Sequence, residues 1–134
     1  MTGAMAHILL VDDDPLVRYS VRTVLEGAGH EVTEADNGRG GLECFRATRY
    51  DAVITDIIMP DMEGIETIRA IRALDKQMPV LAMSGGGRVG NTDFLKAAKA
   101  LGADQVLQKP FEDDELLGAL TRAMESKRAT LRAS

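Results

Sequence analysis

Short apolar runs recur along the chain: Ile8-Leu9-Leu10-Val11, Ala52-Val53-Ile54, Val80-Leu81-Ala82-Met83 and, more weakly, Val106-Leu107. These runs do not alternate with polar residues, and most are closed by polar residues, Gly or Pro, which predicts strands buried on both faces. Glu31-Val32-Thr33-Glu34-Ala35 differs. Its polar flanks suit a strand at the edge of a sheet.

Between the runs, apolar residues fall at helical spacing. Val17, Val21, Val24, Leu25 and Ala28 follow Asp14-Pro15, a helix start with Asp14 as N-cap and Pro15 at the first helical position, and Gly29 is a natural stop. Asn37-Gly38 opens a second helix with Gly41, Leu42, Phe45 and Ala47, predicted to end near Tyr50. Ile65, Ile68, Ile71 and Leu74 line a third, closed by Met78-Pro79. Ser84-Gly85-Gly86-Gly87 leads to a fourth around Phe94 to Leu101, stopped by Gly102. A fifth runs from about Glu112 to Lys127, acidic in its first turn and basic in its last, as the helix dipole favours.

Five strands alternating with five helices, in units of roughly 25 residues, predict an α/β fold with a doubly wound parallel sheet and right-handed crossovers. The 134 residues fit a single domain, and 45% hydrophobic with 28% charged residues is ordinary globular composition. A net charge of −5 disfavours non-specific nucleic-acid binding. The lone Cys44 excludes an internal disulfide, and no Cys/His spacing suggests zinc. No apolar stretch approaches the roughly 20 residues that span a bilayer, so a soluble, cytoplasmic protein without a membrane partner is the expectation. Residues 1–6 are expected to be a disordered tip, with Met5 a possible start, and 129–134 a C-terminal tail.

The chemistry gathers where strands end. Asp12, Asp13 and Asp14 close the first strand, and Asp56 closes the third. Ligands in open α/β sheets bind at that carboxyl edge. Up to three neighbouring carboxylates repel one another by several kcal/mol at an effective dielectric of about 20, so a cation is expected. A set of oxygens without His or Cys suits Mg²⁺, which in turn favours phosphate oxygens. A carboxylate can itself accept a phosphoryl group. Ser84, after the fourth strand, can donate a hydrogen bond to phosphoryl oxygens, and Lys109, after the fifth, supplies positive charge. Blander readings exist for each residue. Asp12 to Asp14 can be a cap cluster, although one Asp suffices for a cap; Asp56 can be a turn residue, Ser84 part of a flexible loop and Lys109 a solvated lysine. Gly85 to Gly87 is not a nucleotide cradle, since no Gly-Lys-Ser/Thr follows. His7, His30 and Arg88 read as surface residues without roles.

Val11-Asp12-Asp13-Asp14-Pro15, Thr55-Asp56-Ile57-Ile58-Met59-Pro60-Asp61-Met62-Glu63-Gly64 and Lys109-Pro110-Phe111 together resemble the receiver domain of two-component response regulators, over residues 7–128. The resemblance implies a flavodoxin-like sheet of order 2-1-3-4-5. It implies that Asp56 is the phosphoacceptor, served by a histidine kinase or histidine phosphotransfer protein. Asp12, Asp13, Asp56 and the backbone carbonyl of Ile58 would hold Mg²⁺, with Ser84 at the switch position and Lys109 the matching lysine. An output protein would dock on the face built by the fourth helix, fifth strand and fifth helix. The chain departs from the family at Val106, where Tyr or Phe is usual; no ring is available to move inward on activation. Ile58 and Gly86 stand where other receivers carry polar groups that influence hydrolysis, so slow dephosphorylation is expected; a half-life of seconds would exclude it. The alternatives are a degenerate receiver binding partners without phosphorylation, or an Asp-nucleophile, Mg²⁺-dependent phosphatase. Against the phosphatase, that class needs a second Asp where Ile58 stands, and no cap insertion is present. Flavin binding is disfavoured because the loops lack stacking aromatics.

Overall fold

A computed structural model describes residues 6–57, 64–84, 96, 99–100 and 102–133. Its strands are β1 (His7–Val11), β2 (Glu31–Ala35), β3 (Ala52–Asp56), β4 (Val80–Ser84) and β5 (Gln105–Gln108). All pair in parallel, in the order β2-β1-β3-β4-β5. The expected sheet and its edge strand β2 are therefore present.

Four helices are described: α1 (Pro15–Gly27), α2 (Gly38–Ala47), α3 (Gly64–Leu74) and α4 (Asp113–Ala133). The expectation was five. The missing one, around Phe94 to Leu101, falls largely outside the described residues, of which Lys96, Lys99 and Ala100 are helical. Thus α4 is the fifth helix of the sequence reading, and it extends to Ala133 rather than ending near Lys127.

The continuous apolar runs supply both faces of the sheet because side chains alternate along a strand. Leu9, Val11, Val53, Val80 and Ala82 pack with Leu42, Ile68 and Ile71 on the α2/α3 side. Ile8, Leu10, Ile54, Leu81 and Met83 pack with Val21, Leu25, Leu116 and Leu120 on the α1/α4 side. The sheet is thus covered on both faces, which leaves its strand ends as the natural place for chemistry.

Local chemistry sets the element ends. Asp14 caps α1, its Oδ1 accepting from Leu16 N at 2.9 Å, with Pro15 following. Gly29, at φ 96°, lets the chain turn out of α1 toward β2. Helix α2 ends at Ala47, short of the expected Tyr50. Tyr50 is buried instead, stacked near Phe45 and 4.6 Å from the His7 ring, so it belongs to the core below β3. The two histidines are not idle surface residues: His7 Nε2 lies 2.8 Å from Thr33 Oγ1, and His30 Nδ1 accepts from Ala6 N at 3.2 Å. Ala6 itself is buried.

Candidate functional site

The register of the sheet brings the predicted acids to one edge. Val11 pairs with Thr55, so Asp12 follows β1 beside Asp56, the last residue of β3. Asp56 in turn pairs with Met83, which places Ser84 one residue further along β4. Ser84 pairs with Gln108, and Lys109 comes next. Three adjacent strands and β5 therefore present Asp12, Asp56, Ser84 and Lys109 from neighbouring carboxyl ends.

The side chains converge. One carboxylate oxygen from each of Asp12, Asp13 and Asp56 lies within 4.8 Å of the others. Asp12 is fully buried and Asp56 is 5% exposed, whereas Asp13 faces solvent. Lys109 Nζ donates to Asp12 Oδ2 at 2.8 Å and to Asp56 Oδ2 at 3.3 Å. Burial alone would push the Lys109 ammonium down, but the hydrogen bond to Asp12 and the charge of Asp56 outweigh it, and the group is held above its usual 10.5. Lys109 is therefore a fixed cation at neutral pH, spanning the two buried acids. Ser84 is 5% exposed, and its carbonyl accepts from Lys109 N at 2.7 Å, tying the lysine to the end of β4.

The frame around Asp56 is tight. A Cβ on Gly64 would stand 1.9 Å from the Asp56 carbonyl oxygen and 2.3 Å from Ile57 Cα, so the start of α3 presses directly on the end of β3. The Asp12 backbone is held from two sides: its N–H donates to Ala35 O at 3.1 Å, and its carbonyl accepts from Arg18 Nη1 at 2.7 Å. Asp12 Oδ1 also accepts from Asp14 N at 2.9 Å. Sequence reading did not single out Arg18. Its position one turn into α1 carries no motif, and the Glu34 that anchors it comes from β2.

Beside Lys109 opens an apolar groove of about 450 Å³ between α1 and the start of α4, lined by Leu16, Val17, Val21, Val24, Phe111 and Leu116. Leu16 is 77% exposed on its rim. Val106, half-buried, packs on the α2/α3 side of the sheet opposite Ala82. The Ile58 carbonyl, Gly85, Gly86 and Arg88 lie outside the described residues, as does most of the expected fourth helix of the partner face.

The sequence model of the response regulator receiver domain matches residues 8–121. The chain belongs to the response regulator receiver family. Among curated relatives of this receiver, the transcriptional regulatory protein FixJ of Bradyrhizobium diazoefficiens is 35% identical over 118 residues, covering 88% of this chain and 56% of FixJ. The C4-dicarboxylate transport transcriptional regulatory protein DctD of Pseudomonas aeruginosa is 35% identical over 131 residues, covering 96% of this chain and 27% of DctD. Among solved structures, the chemotaxis response regulator CheY4 of Vibrio cholerae superposes with a TM-score of 0.79 at 36% identity, covering 90% of the receiver and 99% of CheY4. NtrX of Brucella abortus gives 0.89 at 27% identity, covering 97% of the receiver and 29% of NtrX. The receiver spans about half the length, or less, of the curated relatives it matches. Among the described residues, no helix is long and apolar enough to cross a membrane.

Proposed function

We propose that this receiver is a phosphorylation-dependent signalling switch in which Asp56 accepts a phosphoryl group from a histidine kinase or histidine phosphotransfer protein. One observation carries the reading: Lys109 bridges the buried Asp12 and Asp56 while a third carboxylate, Asp13, reaches the same point. A structural ion pair needs two charges; a surplus of carboxylates around one lysine suits a cation and a phosphoryl group. The all-oxygen donor set fits Mg²⁺, to be held by Asp12, Asp13 and Asp56, with the Ile58 carbonyl a further expected ligand. When bound, the ion would offset negative charge on the transferring phosphoryl group.

The chain's own residues do the rest. A carboxylate oxygen of Asp56 attacks phosphorus as the bond from phosphorus to the donor's imidazole nitrogen breaks, and the nitrogen keeps that electron pair. The close approach of Gly64 braces the Asp56 backbone, which would help to keep its carboxylate in position. Lys109, pinned through Ser84 O, is poised to move from Asp56 Oδ2 to the incoming phosphoryl oxygens. The Ser84 hydroxyl is the expected second donor to those oxygens and the switch residue. Val106 has no ring to rotate inward, so a ring-based readout is not available; the expected surface for an output partner is the face of the expected fourth helix, β5 and α4.

The decisive experiment is intact mass after incubation with Mg²⁺ and a small acyl phosphate, beside Asp56→Asn. The expected result is one phosphoryl group on the parent and none on the variant. No gain by a parent that binds Mg²⁺ would favour the phosphorylation-independent binding module.

A further inference from the structure

Arg18 lies outside the acid cluster, yet its guanidinium makes two directed contacts. Nη1 donates to the carbonyl of Asp12 at 2.7 Å, and Nε donates to Glu34 Oε1 on β2 at 3.0 Å. Glu34 is held in turn by Arg22, which also meets Glu26 one helical turn on. The hydrogen bond from Arg22, aided by that from Arg18, keeps the Glu34 carboxyl below its usual value against partial burial, so Glu34 is an anion at neutral pH. The network thus persists under the conditions in which a receiver works.

The peptide that Arg18 grips links Asp12 to Asp13. The preceding peptide is held from β2, its Asp12 N–H donating to Ala35 O. The Asp12 side chain is independently placed by burial, by Asp14 N–H and by Lys109. Asp13 has no such support: its carboxylate is exposed and makes no hydrogen bond among the described residues. The orientation of the peptide before Asp13 sets where its Cα–Cβ bond points, and so which rotamers reach the other two acids. A rigid planar fork fixed at one end by Glu34 is suited to set that orientation, and a lysine cannot satisfy both acceptors in the same way.

We propose that Arg18, anchored by Glu34, is a positioning residue that aims Asp13 at the cation shared with Asp12 and Asp56. This rests on the reading of those three acids as an Mg²⁺ site. Groups that orient a ligand without touching the metal can change affinity by tenfold or more. The sign separates positioning from charge. Removing a cation near three carboxylates would by electrostatics alone tighten Mg²⁺ binding, whereas loss of aim weakens it.

The test is calorimetric titration of the intact chain with Mg²⁺, for the parent, Arg18→Met, Arg18→Lys, Glu34→Ala and Asp13→Asn, with circular dichroism verifying the fold of each. Arg18→Met is expected to bind about tenfold more weakly. Arg18→Lys, which keeps the charge, and Glu34→Ala, which keeps Arg18, are both expected to bind more weakly than the parent. With a small acyl phosphate, Arg18→Met should need correspondingly more Mg²⁺ for half-maximal phosphorylation but reach the parent rate at saturation. Equal or tighter binding by Arg18→Met, or parity of Arg18→Lys with the parent, would overturn the proposal while leaving the metal site intact. Failure of the parent to bind, or unchanged binding by Asp13→Asn, would instead remove the metal site and the proposal with it. Should Arg18→Met not fold, Glu34→Ala decides: parent-like affinity there also overturns it.

Discussion

At Lys109, one ammonium touches both buried carboxylates of the site, at 2.8 and 3.3 Å, and so sits where a divalent cation and a phosphoryl group would exert opposite demands. Replacing it by Met removes a competitor for the carboxylate oxygens, so Mg²⁺ binding should tighten. It also removes a donor to the developing phosphoryl charge, so the phosphorylation rate should fall by roughly 10²-fold. A variant that loses or gains both together would contradict this division of roles. Without Mg²⁺ the same change leaves buried Asp12 without its cation, and a loss of about 2 kcal/mol is expected in urea denaturation. The pH dependence follows from the raised Lys109 value. The unfolded chain releases this proton near 10.5 and the folded chain only at higher pH, so proton binding favours the fold. The Lys109 contribution is complete below 10.5 and fades as pH rises through the folded value. The stability difference between parent and Lys109→Met should therefore be constant at neutral pH and shrink in the alkaline range. A difference that instead shrank between about pH 5 and 8 would place the titrating group elsewhere. At Gly64 the restriction is steric rather than electrostatic. A Cβ would overlap the Asp56 carbonyl oxygen at 1.9 Å, and backbone cannot step aside as a side chain tip can. Gly64→Ala should cost roughly 1–3 kcal/mol or more in the urea midpoint and slow phosphorylation through displacement of Asp56. A variant with parent-like stability and rate would mean that α3 does not brace β3.

Among the elements, α1 and the first turn of α4 frame the groove that ends at Lys109; under the proposed function, a phosphodonor would rest there to bring its histidine to Asp56. Leu16 stands 77% exposed on that rim, away from the core, so Leu16→Asp should leave the fold and the reaction with a small acyl phosphate unchanged. Transfer from a phosphorylated histidine phosphotransfer protein should fall by about tenfold, the effect of losing one apolar contact of 1–2 kcal/mol. Equal loss with both donors would place Leu16 in the chemistry rather than in docking. Most of these elements were legible from apolar periodicity, because strands buried on both faces leave uninterrupted apolar runs and the helices carry clear stripes and caps. The sequence errors have physical causes. The expected end of α2 near Tyr50 overshot Ala47, and Tyr50 packs under β3, since periodicity cannot tell a helix's last turn from a core residue in the following loop. β5 looked weak because its ends are Gln105 and Gln108, which leave only two apolar residues between them, and Gln108 is exposed. The site acids and Lys109 were readable because they close apolar runs. Arg18 was not, because its role depends on Glu34, sixteen residues away on an edge strand, and no local pattern reports that contact.

On the scale of the whole molecule, the cluster adds to a chain that already carries a net charge of −5, and two of its three carboxylates are removed from water. The fold therefore holds concentrated like charge at one edge, offset in part by Lys109, and a divalent cation bound only by the folded state should stabilise the entire domain by mass action. At free Mg²⁺ ten times its dissociation constant the gain is about 1.4 kcal/mol, which for a domain of this size raises Tm by about 5 °C. Bulk screening predicts something different: it acts on exposed charges over a Debye length of about 10 Å at 0.1 M and does not distinguish Mg²⁺ from NaCl at matched ionic strength. The expected outcome is a saturable rise in Tm with Mg²⁺, a much smaller change with NaCl, and loss of the Mg²⁺-specific part in Asp13→Asn. Asp13 is the right position for the control because its carboxylate is exposed, so the substitution removes a ligand without emptying the core. An equal rise in Asp13→Asn, or with NaCl at the same ionic strength, would show that the stabilisation comes from general screening and that the three carboxylates do not act as one site. A specific rise would tie the stability of the sheet to occupancy at its carboxyl edge. Under the proposed function, phosphorylation of Asp56 would alter the charge at that same edge, and a domain whose global stability responds to charge there would have the coupling a switch requires.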